Sequence, residues 1–175
     1  MLTSVFIGTS LDGFIARRNG EYDFLPADGG EPHGYTEFMA GIDTLVIGRK
    51  TFETVRAFAE WPYAGKRVVV LSSRELDFSK VRKHGVERMA GEPKDIVERL
   101  EASGAKSLYV DGGDTIQRFL RAGLIQRLII TRVPVLIGEG ISLFGAVPQD
   151  IRLEHVATSS YRSGLVKSEY RVISS

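Results

Sequence analysis

Five short apolar runs constrain this chain most: Ser4 to Gly8, Thr44 to Gly48, Arg67 to Leu71, Ser107 to Val110, and Arg127 to Ile137. Each is rich in β-branched residues, and most are continuous rather than alternating. Continuous runs are the habit of strands covered on both faces, whereas a strand with one wet face alternates. Helical segments separate them. Pro93 to Leu100 opens on proline after Glu92, carries Ile96, Val97 and Leu100 at helical spacing, and meets Gly104 as its stop. Thr115 to Ala122 places Ile116, Phe119 and Leu120 on one face and ends at Gly123. Tyr35 to Ala40 and Phe52 to Phe58 read as two shorter helices. Strands alternating with helices predict an α/β fold: a three-layer α/β/α sandwich around a mostly parallel sheet.

The last quarter departs from this pattern. Arg152 to Ser159 and Val166 to Ile173 read as two strands joined through Ser163-Gly164. Glu169 and Arg171 alternate with Tyr170 and Val172, so an antiparallel hairpin is expected at one edge of the sheet. Asn19 to Gly34, rich in Gly, Pro and Asp, reads as one long loop, the least ordered part of the chain. The 175 residues amount to one domain. Without cysteine there is no disulfide, thiolate nucleophile or cysteine metal site, and His33, His84 and His155 form no metal-binding pair. Net charge is +1, which supplies no field for nucleic acid or an anionic membrane. The N-terminus has no signal-peptide pattern, and no apolar stretch approaches the ~20 residues of a bilayer span. A cytoplasmic protein acting on a small molecule is expected.

In open α/β sheets, ligands collect beyond the carboxyl ends of the strands. Gly48-Arg49-Lys50-Thr51 follows one strand, Ser72-Ser73-Arg74 another, and Asp111-Gly112-Gly113-Asp114-Thr115 leads from a third straight into a helix. Paired glycines let backbone N–H groups approach a phosphate, and a helix N-terminus points its unpaired donors to the same place. A tight strand-to-helix turn with Asp114 as N-cap accounts for the same residues. Arg49 and Arg74, each beside hydroxyl residues, suit a phosphate monoester, where charged forks give strength and geometry; taken singly, each also reads as a solvated surface cation. Asp12-Gly13 reads either as a simple turn or as a loop over a ligand.

Taken in order, VFIGTSLDGFIA, VIGRKTFE, VVLSSR, VDGGDTIQRFL and LIITRVPVLIGEGISLF resemble the dihydrofolate reductase-like superfamily. The likeness runs from Ser4 to about Phe144. It is nearest to the reductase domain of bifunctional riboflavin deaminase-reductases. The resemblance implies an NADPH site. Gly8 and Ile15 would contact the nicotinamide through backbone groups. Gly48, Arg49 and Thr51 would sit at the pyrophosphate and adenosine-side phosphates. Ser72, Ser73 and Arg74 would hold the ribose 2′-phosphate, and Gly112, Gly113, Asp114 and Thr115 would cradle the pyrophosphate. It further implies a homodimer, formed through the C-terminal strands. True dihydrofolate reductases carry a buried carboxylate on their first helix; here Glu37 is the nearest residue to that register, and Asp12 is the other candidate acid. Trp61 reads as lining a substrate mouth or packing a loop.

The resemblance implies hydride transfer to a pyrimidine- or pterin-like heterocycle or its ribosylamino derivative, of the 5-amino-6-(5-phosphoribosylamino)uracil reductase type. The alternatives are a dinucleotide-binding module without catalysis, and a dihydrofolate reductase proper.

Overall fold

The computed structural model describes residues 1–26 and 31–173. The chain runs β1 (Leu2–Ser10), β2 (Phe14–Ala16), α1 (Tyr35–Ala40), β3 (Thr44–Gly48), α2 (Arg49–Val55), β4 (Arg67–Leu71), a 3₁₀ turn (Arg82–His84), β5 (Val86–Met89), α3 (Pro93–Ala102), β6 (Ser107–Asp111), α4 (Gly113–Arg121), β7 (Arg127–Val133), β8 (Ile141–Ser142), β9 (Leu153–Ser160) and β10 (Val166–Val172). The main sheet has eight strands in the order β5-β4-β3-β6-β1-β7-β10-β9. β10 alone runs against the others, pairing antiparallel with β7 and with β9. β2 and β8 form a separate two-stranded flap.

Alternation along the central strands feeds two cores. Phe6, Leu45, Ile47, Val68, Val70, Tyr109 and Ile129 meet Phe38 of α1 and Phe52 and Val55 of α2 on one face. Val5, Val46, Val69, Leu108, Val110, Leu128 and Ile130 meet Ile96 and Leu100 of α3 and Ile116 and Phe119 of α4 on the other. Apolar residues are thus needed at successive positions of a central strand, which explains the continuous runs. The sandwich is α/β/α, with the antiparallel hairpin at its edge. No described helix is long and apolar enough to cross a membrane.

Local boundaries differ from the sequence expectation in instructive places. The run Arg127 to Ile137 ends as a strand at Val133, because Pro134 removes a ladder donor. α2 begins at Arg49 rather than Phe52 and ends at Val55: the helix starts directly after Gly48. α4 begins at Gly113 rather than Thr115, and its N-cap is Gly112, not Asp114. Gly112 has φ 98°, which an L side chain adopts only with strain, so the sharp turn is made one peptide earlier than an aspartate cap would make it. β2, β5 and β8 are too short to show a periodicity. Of the loop Asn19 to Gly34, residues 27–30 lie outside the described residues; Arg17 to Leu25 is folded by turns, with Arg17 held to Asp23 by paired hydrogen bonds.

Candidate active site

The turns after β3 and β6 touch. A Cβ on Gly48 would lie 2.8 Å from the Thr115 hydroxyl, and one on Gly112 would lie 2.7 Å from the Thr51 hydroxyl. A Cβ on Gly113 would meet Ile15 at 2.8 Å and Ile141 at 3.3 Å. Only glycine lets the two turns and the β2–β8 flap close on one point. The adjacent N-terminus of α4 has no side-chain cap. The N–H groups of Gly113, Asp114 and Thr115 lack carbonyl partners one turn back, so they and the helix dipole are available to an anion.

Cations stand on one side of this point. Arg49 gives Nη1 to Glu53 Oε1 at 2.9 Å, an i,i+4 pair that leaves its other nitrogens free to bind elsewhere. Ser72 follows β4 in a self-bonded turn. Its hydroxyl donates to the Arg74 carbonyl and accepts from the Arg74 N–H, which leaves Ser73 and the Arg74 guanidinium exposed. The sequence reading missed Arg88 of β5. Its Nη1 donates to the Ser72 carbonyl at 3.1 Å and its Nη2 to Glu75 at 2.9 Å, so it braces the turn that presents Ser73 and Arg74. Only the sheet order, with β5 beside β4, brings it there.

On the other side stands one acid that the sequence reading named only as part of a turn. Asp111 ends β6, level with Ile47 of β3. Burial pushes its carboxyl up to about 6, against the opposing effect of the Gly112 N–H, which donates to Oδ1 at 2.8 Å. Tyr35, at the start of α1, is pushed up to about 12 by burial and by the charge of Asp111. Tyr63 is raised further, by burial first and then by Asp111, Tyr35 and Tyr22. One acid and three tyrosines from four separate segments therefore share one field. Beneath them the buried Tyr109 hydroxyl donates to the Phe6 carbonyl at 2.8 Å. Leu25 folds over the end of β1, 3.1 Å from where a Gly8 Cβ would be.

Neither acid expected from the sequence joins this cluster. Asp12 is exposed and accepts from the Ser10 hydroxyl and from the Gly138 and Ile137 N–H groups, which together hold it below the usual carboxylate range. It ties the turn after β1 to the loop after β7 and acts as a structural clamp. Glu37 is exposed on α1 and lines a groove with Leu2, Ser4, Ser107 and Arg127, toward the amino ends of the strands. One helical residue in the wrong phase is enough to aim a carboxylate away. Trp61 is half-buried, packs on Phe52, Tyr63 and His84, and backs the tyrosine cluster.

This sheet order, with its glycine-built junction at the strand ends, defines a dihydrofolate reductase-like fold. Dihydrofolate reductase from Enterococcus faecalis, solved in complex with NADP(H), superposes with a TM-score of 0.65 at 18% identity, covering 98% of this chain and 96% of that one. Residues 3–167 match the RibD C-terminal domain family, and the chain belongs to it. A Shewanella sp. PV-4 protein provisionally assigned to riboflavin biosynthesis superposes with a TM-score of 0.91 at 35% identity, covering 99% of this chain and all of that one. Protein YyaP of Bacillus subtilis is 31% identical over 173 residues, 94% of this chain and 91% of YyaP.

Proposed function

We propose that this protein is an NADPH-dependent reductase that transfers hydride to a pyrimidine- or pterin-like heterocycle. The observation that carries the reading is the junction of an uncapped helix N-terminus with an acid whose proton affinity burial raises: Gly113 to Thr115 on one side of Gly112, Asp111 on the other. The donor set suits the dinucleotide. Gly113, Asp114 and Thr115 would hold the pyrophosphate through their N–H groups, with Gly48, Arg49 and Thr51 beside it. Ser73 and Arg74 would hold the 2′-phosphate on the turn that Ser72 and Arg88 set. Gly8 and Ile15 would border the nicotinamide. When bound, the cofactor supplies the hydride.

The chain's residues supply orientation, water exclusion and a proton. Leu25 and the β2–β8 flap shield the end of β1. Orientation of this kind lowers a barrier by several kcal/mol. Asp111, raised by burial to about 6, keeps its proton to a higher pH than an exposed aspartate and stands at the strand ends where a substrate nitrogen would receive it. The placement of Glu37 away from this point argues against dihydrofolate as the substrate.

Fluorescence titration with NADPH and NADH tests the cofactor reading. NADPH should bind more tightly than NADH. Arg74→Ala should weaken NADPH roughly ten- to a hundredfold and leave NADH nearly unchanged, the cost of losing one charged hydrogen-bond partner. Equal losses for both cofactors would remove the 2′-phosphate assignment. The proposal extends to a cytoplasmic homodimer, supported by the fully exposed edge strand β9.

A further inference from the structure

The two acids that follow Arg74 are each met by an arginine from another element. Leu76 and Phe78 turn inward and pack on the core that α2 covers. Glu75 and Asp77, which alternate with them, face solvent. Asp77 accepts from the Ser79 N–H at 2.9 Å, and its carbonyl accepts from Arg56, at the end of α2, at 3.0 Å. Glu75 pairs with Arg88 of β5 at 2.9 Å, and among the described residues no other cation lies within ion-pair distance of it.

Arg88 makes a second contact with the same turn. It stands level with Val70 in the β4–β5 register, and its Nη1 reaches the Ser72 carbonyl at 3.1 Å. Every polar group of Ser72 is then engaged. Its N–H donates to the Met89 carbonyl at 3.0 Å, its carbonyl accepts from Arg88, and its hydroxyl closes on Arg74. One guanidinium thus fixes the backbone that presents Ser73 and Arg74 and covers the carboxylate beside them. A planar fork of donors can serve a carbonyl and a carboxylate at once, which a single ammonium does with far less geometric control. Stability does not account for the ion pair: the Glu75 side chain is 91% exposed, and pairs so open to water contribute little to folding. Its effect is local. Glu75 is the chain neighbour of Arg74, so an uncovered carboxylate there repels any anion that Arg74 receives.

Resting on the cofactor reading above, we propose that Arg88 and Glu75 set the preference for a 2′-phosphorylated dinucleotide without touching the phosphate. Arg88 is a positioning residue: it shapes the Ser72–Arg74 turn and cancels the Glu75 charge. Glu75 is the opposing element, a charge that counts against the phosphate wherever Arg88 does not cover it.

Adenosine 2′,5′-bisphosphate and AMP differ only by the 2′-phosphate. Their affinity ratio, read by calorimetry at low salt, isolates that contact from the nicotinamide and from turnover; NADPH and NADH give the ratio for the whole cofactor. Arg88→Met should lower both ratios roughly tenfold, by weakening the phosphorylated member. Adding Glu75→Gln to Arg88→Met should recover at least about threefold, because the uncovered carboxylate is gone. Glu75→Gln alone should raise both ratios about twofold or more. An Arg88 that only supports the fold would weaken both members of each pair equally, and unchanged ratios would overturn the proposal. So would identical ratios for Arg88→Met and the double variant. Should Arg88→Met fail to fold, as thermal unfolding would show, the exposed Glu75→Gln decides alone, and ratios equal to wild type would overturn it. A ratio lost in Arg74→Ala but untouched by the Arg88 and Glu75 variants would overturn it while leaving the cofactor reading standing. A wild-type protein that favours the bisphosphate over AMP but does not bind NADPH would sink the reductase reading and leave this proposal standing; equal binding of bisphosphate and AMP, or none, would overturn it.

Discussion

Asp111 holds a proton at a pH where an exposed aspartate has lost it. Its folded-state value, about 6, lies above the ordinary 3.8. Burial therefore favours the neutral form, and the sign of the linkage follows. Below about pH 4 the group is protonated in folded and unfolded chains alike, and its burial is not penalised. As pH rises through 6 that advantage is lost, up to about 3 kcal/mol at 1.36 kcal/mol per unit. Asp111→Asn should therefore gain stability relative to wild type between pH 4 and pH 7, read from urea unfolding at the two values. Its reductase activity should fall by on the order of a hundredfold or more, the usual contribution of a positioned acid. Wild-type kcat/KM should decline above about pH 6, and the residual activity of the Asn variant should lack that limb. A stability difference independent of pH would show that Asp111 is ionised throughout. Asp12 behaves oppositely. It is exposed and stabilised as the anion by the Ser10 hydroxyl and two backbone donors, so it clamps two loops and holds no proton.

Among the elements, the β6–α4 turn carries the tightest constraint. Gly112 combines φ 98° with a Cβ position only 2.7 Å from the Thr51 hydroxyl. Gly112→Ala should destabilise the fold by roughly 1–3 kcal/mol from backbone strain alone and weaken NADPH by moving the α4 donors. Thermal unfolding and cofactor titration read the two effects separately. A wild-type-like variant in both assays would mean that the turn relaxes freely. Within α4, Phe119 is fully buried against the sheet. Phe119→Ala should cost ~3–5 kcal/mol in a denaturant series, because the surrounding core closes incompletely on a lost ring. α4 begins two residues earlier than its apolar spacing suggests. Gly113 and Asp114 have no apolar side chain to mark them as helical, and the turn is set by contact with β3 and β2.

At the scale of the whole molecule, the sheet is covered unevenly. β9 is exposed along its whole length, with Leu153 and Val156 among the exposed apolar residues. An unpaired edge of this kind invites pairing with another strand. Sedimentation should show a dimer at micromolar concentration, and a charge placed on the edge, Val156→Lys, should shift it toward monomer while leaving cofactor binding unchanged. A monomer across that range would remove the homodimer from the proposal.

The sequence by itself determined the layers. Continuous apolar runs such as Thr44–Gly48 and Arg67–Leu71 became central strands with unchanged bounds, because burial on both faces is written into consecutive residues. Tyr35–Ala40 and the start of α3 at Pro93 were likewise legible from local spacing and capping. The glycines and hydroxyls at the strand ends were legible for the same reason: they lie next to the strands they terminate. Tertiary structure decided which of those groups meet and what each one does. Asp111 holds a proton because β3, α1 and the loop carrying Tyr63 remove it from water, and no short window of sequence records their approach. Arg88 braces Ser72 only because β5 lies beside β4. Glu37 lies away from Asp111 because the phase of a six-residue helix is fixed by what Phe38 packs against, not by its own pattern. Secondary structure follows from short-range sterics and hydrophobic period, whereas proton affinity follows from the desolvation and charge of groups brought together from distant parts of the chain.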